Sequence, residues 1–188
     1  MEGFGNVGIF VSKFLSEHGA KMVGVSDSKG LLYKSDGIDF KTLERVKSEK
    51  GTVTAYGSGK ILPGKDIISL PVDILITAAL PDLIKNEDDG KIRAKIIVEG
   101  SNIQMSQETE EMLHKNGVLV VPDFVANAGG VISSYVEYIG GGKDEMFRLV
   151  EEKIKKNTEE VLDKAKRHGI SPRKAALKIA EERILSSS

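Results

Sequence analysis

The sequence predicts an α/β protein: a mainly parallel sheet with helices on both faces, followed by a helical tail. Three observations predict it. Short, almost wholly apolar runs alternate with helix-length segments, the pattern of strands buried on both faces. Residues 3–8 read Gly3-Phe4-Gly5-Asn6-Val7-Gly8, a glycine-rich turn opening an amphipathic helix. Beyond the Gly140-Gly141-Gly142 break, residues 143–188 carry helical periodicity and no strand. The expected division is residues 1–140 as a sheet-containing domain, truncated at its N-terminus, and 143–188 as C-terminal helices packing on it.

Each element follows from local pattern. Val7, Phe10, Val11, Phe14 and Leu15 form one apolar stripe, which predicts a helix that buries it. Gly19 stops that helix as a C′ glycine. Residues 22–26 form a strand ending at Asp27, and residues 31–33 a short extended piece. Asp39 caps a helix carrying Phe40, Leu43 and Val46. Residues 51–65 hold Gly51, Gly57, Gly59, Pro63 and Gly64 and read as a loop or weak strands. Residues 72–77 are a strand bounded by Pro71 and Pro81; residues 95–99 are another, closed by Gly100. Ser106 caps a helix bearing Met112 and Leu113 that stops at Gly117. A strand at 118–121 stops at Pro122. A helix starts near Asn127 and runs to the glycine triplet. Residues 144–167 and 171–184 are the last two helices, the second opening with Ser171 as N-cap and Pro172 at the first helical position.

Composition excludes several functions. Acidic residues (28) almost balance basic ones (27), so no electrostatic case for nucleic acid or an anionic membrane arises. No apolar run approaches the roughly 20 residues that cross a bilayer. No basic stretch precedes an apolar core at the N-terminus, so no secretory signal is read and cytoplasm is the default compartment. The absence of cysteine rules out disulfides, thiolate metal sites and cysteine nucleophiles. His18, His114 and His168 lie near helix C-termini, where they interact with the last carbonyls, and none has a metal-like or triad-like companion. Glu110-Glu111 and Glu159-Glu160 read as solvated helix faces. No residue reads as a convincing general base, so no catalytic residue and no metal ligand is assigned.

The glycine turn carries the chemistry. In such a motif the pyrophosphate of a dinucleotide rests on the N-terminus of the following helix. Asp27 lies 19 positions after Gly8, close to the ~20 expected for the acid at the next strand end. A carboxylate there can accept both adenosine-ribose hydroxyls and repels a 2′-phosphate. Ser28 and Lys29 can donate to such a phosphate, so NAD is expected with NADP possible. The competing reading is a tight strand–helix turn with a solvent-facing aspartate. Thr77-Ala78-Ala79-Leu80 and Glu99-Gly100-Ser101-Asn102 sit at carboxyl ends of strands, where open α/β sheets bind ligands. Taken singly, they are ordinary loop and cap residues. Asn127-Ala128-Gly129-Gly130-Val131 places two glycines early in a helix, at about 1 kcal/mol each relative to alanine. Either backbone or ligand comes close there.

Together these blocks resemble the C-terminal, nucleotide-binding half of glutamate dehydrogenase, in the Glu/Leu/Phe/Val dehydrogenase family. The matching stretches are residues 3–8, 25–30, 72–75, 78–80, 98–102 and, longest and most specific, 117–131. The resemblance covers about residues 3–140. It implies a Rossmann-like fold and an NAD(P) cofactor held by Gly3, Phe4, Gly5, Asn6, Val7, Gly8, Asp27, Ser28, Ala78, Ala79, Asn102 and Asn127. It implies that Val131 and Ser134 contact the substrate. The implied reaction is oxidation of L-glutamate to 2-oxoglutarate and ammonia in an oligomeric enzyme. The family's catalytic lysine and aspartate lie on an N-terminal substrate domain outside this sequence, so the chain alone is expected to be inactive. Thr77 stands where a proline is usual, Pro81-Asp82 and Ser101 depart from the pattern, and residues 103–105 form an atypical loop. Two other readings compete. One is a branched-chain or aromatic amino-acid dehydrogenase, against which Ser134 and the block ending at Val131 argue. The other is a non-catalytic nucleotide-binding partner.

Only Met1 and Glu2 precede the glycine turn, too few for the strand that such a turn follows. Loss of a central strand exposes both neighbouring edges. The expectation is that residues 1–188 alone are poorly stable or oligomeric unless another segment fills the gap.

Overall fold

The protein, analysed as a computed structural model, is described over residues 1–186. Among these residues, six strands and a two-residue stub build the sheet. β1 (Gly24–Asp27), β2 (Gly30–Tyr33) and β3 (Lys60–Leu62) pair antiparallel. β4 (Ile74–Thr77), β5 (Ile96–Glu99) and β6 (Leu119–Val121) pair parallel. Met1 and Glu2 join these halves, and Glu2 bridges in parallel to both Ser26 and Thr77. Ser26 N–H donates to the Met1 carbonyl (3.1 Å); Glu2 N–H donates to Ile76 O (2.7 Å) and Ala78 N–H to Glu2 O (2.8 Å). The spatial order is β3-β2-β1-stub-β4-β5-β6. This is the expected Rossmann-like α/β sheet. Its one antiparallel end arises because Ser28-Lys29 is a two-residue turn, which returns β2 directly along β1.

The described residues hold seven α-helices, of which α5 packs on α6: α1 (Asn6–Glu17), α2 (Phe40–Lys50), α3 (Gln107–Lys115), α4 (Asp123–Ala126), α5 (Gly129–Tyr138), α6 (Lys143–His168) and α7 (Pro172–Ser186). The strand period of two sends neighbouring side chains to opposite faces. Ile97 and Val120 pack with Leu113 of α3 in one cluster. Their neighbours Val98 and Val121 pack with Val125, Val161, Ala165, Ala175, Ala176 and Ile179 of α4, α6 and α7. A third cluster, with Phe4, Val25, Leu32 and Leu43, sits under α2. The predicted caps form: Thr42 N–H donates to Asp39 (2.8 Å) and Thr109 N–H to Ser106 Oγ (3.2 Å).

One expectation about these helices is corrected. α1 does not bury its predicted stripe. Its buried residues are Gly8 and Ser12, while Phe10 stays 59% exposed, with Val7 and Phe14 also exposed. The helix lies so close to the glycine turn that a Cβ on Gly8 would overlap the Gly3 carbonyl, so its small face must turn inward. The helix expected from near Asn127 forms as α5, starting at Gly129, and the short α4 before it, which ends at the Asn127 C-cap, was not foreseen. In the C-terminal helix Ala175, Ala176 and Ile179 are buried and Ala180 is exposed.

In line with the stub lies a cavity of about 490 Å³, lined among others by Met1, Ser12, Leu15, Gly24, Ile74 and Ile76. Met1 occupies the ladder toward β1 and Glu2 toward β4. Ladder alternation therefore turns the Gly24 and Ile76 N–H groups into this cavity, whereas Val25 and Leu75 face β2 and β5. Hydrogen exchange at Gly24 and Ile76 is predicted to be at least about tenfold faster than at Val25 and Leu75. Equal protection at all four amides would contradict the pairing.

Candidate functional site

The turn at residues 3–8 is built on close approach. Gly3 has φ +86°, and a Cβ there would sit 2.7 Å from Ala79 Cβ. A Cβ on Gly100 would sit 3.0 Å from Thr77 O and 3.6 Å from Val7 Cγ1. The glycines thus bring the turn, the loop after β4 and the loop after β5 together at one sheet edge. Glu2 fixes this edge. It is 3% exposed, and its carboxylate accepts N–H bonds from Ala78 (2.9 Å), Ala79 (3.0 Å) and Leu80 (3.3 Å). Nothing in the sequence pattern marks Glu2, because its role depends on a loop 76 residues away.

α1 begins at this edge without a side-chain cap. Its first intrahelical donor, Ile9 N–H, reaches Gly5 O at 2.9 Å, so the preceding first-turn amides have no helical acceptor. The positive end of the helix dipole coincides with them. Cβ positions on Gly5 and on Gly130 would meet nothing within 4 Å. Gly5 is therefore not demanded by the protein's own packing, and the space above it is open. Uncapped amides below an open shelf suit a pyrophosphate, so the residues present fit a dinucleotide.

The predicted contacts fall into groups. Gly3, Gly5, Asn6, Val7 and Gly8 form the turn, with Gly5, Asn6 and Val7 exposed. The Phe4 ring is in the core, edge-on to Phe40 at 6.5 Å between centroids, so only its backbone can face a ligand. Ala78 and Ala79 line the next loop, their amides held by Glu2. Asn127 donates its side-chain amide to Asn102 Oδ1 at 2.6 Å, joining the loops after β5 and β6. Ser28 is exposed on the β1–β2 turn. Val131 is 76% exposed, and the exposed Ser134 hydroxyl donates back to Gly130 O at 3.2 Å. Both lie on α5, one and two turns beyond Asn127. Asp27 is not an open carboxylate. Burial works against its charge, but Lys47, Val53 and Lys29 donate to it and hold it below the usual carboxylate range.

Sequence reading missed a buried ionic cluster under this edge. Arg173 of α7 donates to Glu110 (2.5 Å), Asp123 (2.9 Å) and Glu99 (3.2 Å), and stands 5.1 Å over the Phe124 ring. Asp123 also accepts from Ile103 N–H at 3.0 Å, and its own N–H donates to Glu99 at 3.0 Å. The cluster thus anchors both asparagine-bearing loops to the C-terminal tail. Glu110 is no solvated face residue: it is 2% exposed. The one sequence signal was Glu99, a charge at the end of an otherwise apolar strand. One guanidinium cannot neutralise three buried carboxylates. Burial, aided by the Glu110 charge, pushes Glu99 up to about 8. Burial and the nearby acids also raise Glu110. Asp123 stays low despite burial because Ile103, Phe124 and Arg173 donate to it. Among the described residues no acid–histidine group has metal-binding geometry. The His18 ring contacts Phe14 O at 2.7 Å, a helix-terminal contact.

A sequence profile of the Glutamate/Leucine/Phenylalanine/Valine dehydrogenase family matches residues 1–188. The chain is 43% identical to the glutamate dehydrogenase of Aeropyrum pernix over 194 residues, covering 98% of this chain and 46% of that protein. It is 43% identical over 138 residues to an NADP-specific glutamate dehydrogenase of Saccharolobus shibatae, covering 73% of this chain and 33% of that protein. A hetero-hexameric glutamate dehydrogenase from Thermus thermophilus superposes with a TM-score of 0.86 at 26% identity, over 99% of this chain and 45% of that one. The chain therefore spans about half the length, or less, of these relatives.

Two outcomes follow from the cluster. Arg173→Met strands buried carboxylates and is predicted to cost about 3–5 kcal/mol, read by denaturant unfolding. Glu99 binds its proton more tightly folded than unfolded. Its contribution is full below the unfolded value near 4.5 and is lost as pH rises toward about 8. Glu99→Gln is predicted to flatten the fall of the thermal midpoint between those pH values; an unchanged slope would contradict this.

Proposed function

The chain belongs to the Glutamate/Leucine/Phenylalanine/Valine dehydrogenase family, and we propose that it is the NAD(P)-binding half of a glutamate dehydrogenase. The observation that carries this reading is the uncapped start of α1 beneath an open shelf at Gly5, at the carboxyl ends of β4 and β5. In this reading the first-turn amides bind the pyrophosphate, and Asp27 and Ser28 face the adenosine ribose. Ala78 and Ala79 pack against the dinucleotide, and the Asn102–Asn127 pair orients its nicotinamide end. When bound, the nicotinamide supplies the hydride acceptor.

The chain's own residues bind and orient. Among the described residues no proton-transfer base stands at this edge: the three histidines sit at helix ends, and the buried acids are committed to Arg173 and backbone N–H groups. Oxidative deamination needs a base within hydrogen-bond reach of the amino group. We therefore assign that base, and most of the glutamate contacts, to a separate substrate-binding segment, with Val131 and Ser134 offered from α5. The exposed apolar residues Val131, Tyr135, Tyr138 and Ile139, on α5 and its C-cap, support an association there. Assembly as an oligomer, like that of the hetero-hexameric Thermus thermophilus enzyme, belongs to the same proposal.

Gly5→Val separates binding from folding, because the added atoms meet no protein atom at Cβ and Gly5 has an ordinary negative φ of −95°. The variant is predicted to keep its thermal midpoint and to lose at least about tenfold in NADH affinity, measured by fluorescence titration. Unchanged affinity would remove the shelf from the proposal. Glutamate-dependent NADH formation is predicted only after mixing with a glutamate dehydrogenase substrate domain; turnover by this chain alone would overturn the assignment of the base.

A further inference from the structure

The acid at the end of β1 is the group expected to reject a 2′-phosphate. In this fold all its acceptor capacity is spent inside the protein. Asp27 Oδ1 accepts from Lys29 N–H (2.9 Å) and from the Thr52 hydroxyl (3.2 Å). Oδ2 accepts from Lys47 Nζ (2.7 Å) and from Val53 N–H (2.8 Å). A carboxylate offers about four lone-pair sites, so none is left for a ribose hydroxyl. The side chain is 6% exposed, against 24% for Lys47.

Lys47 is fixed from both ends. It lies in the last turn of α2, and its ammonium also donates to Gly51 O at 3.0 Å, in the negative end of that helix dipole. The ammonium thus cancels the Asp27 charge from a set position. Lys29 is exposed beside Ser28 on the β1–β2 turn. Both can donate to a phosphate.

We propose that Lys47 is a specificity-determining residue: by holding the Asp27 carboxylate it allows the site to take a 2′-phosphorylated dinucleotide as well as the unphosphorylated one. This rests on the dinucleotide reading above. The sequence offered no hint of it, because Lys47 sits 20 residues from Asp27 on a surface helix. Freed from Lys47, the Asp27 charge is no longer offset by an ammonium and one oxygen gains an open acceptor site. Both changes favour ribose hydroxyls and oppose a phosphate.

The test is titration of the whole chain with NADH and NADPH, followed by reduced-nicotinamide fluorescence. The wild type is expected to bind the two within about tenfold of each other. Lys47→Met keeps the aliphatic stem and removes the cation; it is expected to weaken NADPH by about tenfold or more while leaving NADH within about threefold. Lys47→Arg is expected to retain NADPH binding. In the Lys47→Met background, Asp27→Asn is expected to restore it, which a purely structural role for Lys47 would not produce. If the wild type binds both nucleotides and Lys47→Met leaves their ratio unchanged, the Lys47 inference falls and the dinucleotide reading stands. If the wild type binds neither, both fall.

Discussion

Glu2 is the residue on which the arrangement depends. Its backbone bridges two three-stranded halves, and its carboxylate gathers three successive amides of the loop after β4. An anion buried to 3% exposure is costly unless it is fully bonded. Here the partners are three successive N–H groups at a strand end, of which Ala78 N–H is shared with the Glu2 carbonyl, so each side satisfies the other. The consequence is positional. With Ala78 and Ala79 drawn in, only glycine fits at residue 3. With Gly3 in that conformation, only glycine fits at residue 8. The N-terminus of α1 then arrives at the carboxyl ends of β4 and β5.

A second buried network performs the same task on the other side of the edge. Arg173 draws together the strand end at Glu99, the start of α4 at Asp123 and the α3 face at Glu110. The loops carrying Asn102 and Asn127 are thereby tied to the tail helix. The cluster holds more negative than positive charge, and the excess is relieved by protonation rather than by a further cation. Charge state and loop position are linked through this one guanidinium. Glu99 Oε1, which has no hydrogen-bond partner among the described residues, marks where the network is least satisfied.

Most of the fold was legible in sequence, and the reasons are local. Apolar runs of four or five residues with proline and glycine at their ends give strands almost directly, and Asp39 and Ser106 mark helix starts through side-chain caps. What escaped was whatever depends on distance along the chain. The α1 stripe misled because apolar spacing reports a helix but not which side meets the sheet. Gly8 and Ser12 decide that, by allowing close approach. Glu110 misled because an acidic pair on a helix is usually solvated, and only Arg173, 63 residues later, makes its burial possible. Asp27 was read correctly as a strand-end acid, but its partners Lys47, Thr52 and Val53 come from elements that meet it only in the folded state. The glycine turn itself was legible, since its geometry resides in contiguous backbone.

The proposed function stands on the start of α1 as the anion-binding floor of a dinucleotide site. Backbone amide chemical shifts of the isotopically labelled chain, followed during addition of NADH, test it most directly. The largest shifts are expected on Gly5, Asn6, Val7 and Gly8, with smaller ones at Ala78, Ala79, Asn102 and Asn127. Saturable shifts that leave residues 5–8 unmoved, or that centre on the surface depression lined by Asp89, Glu108, Met112 and Asn116, would contradict it.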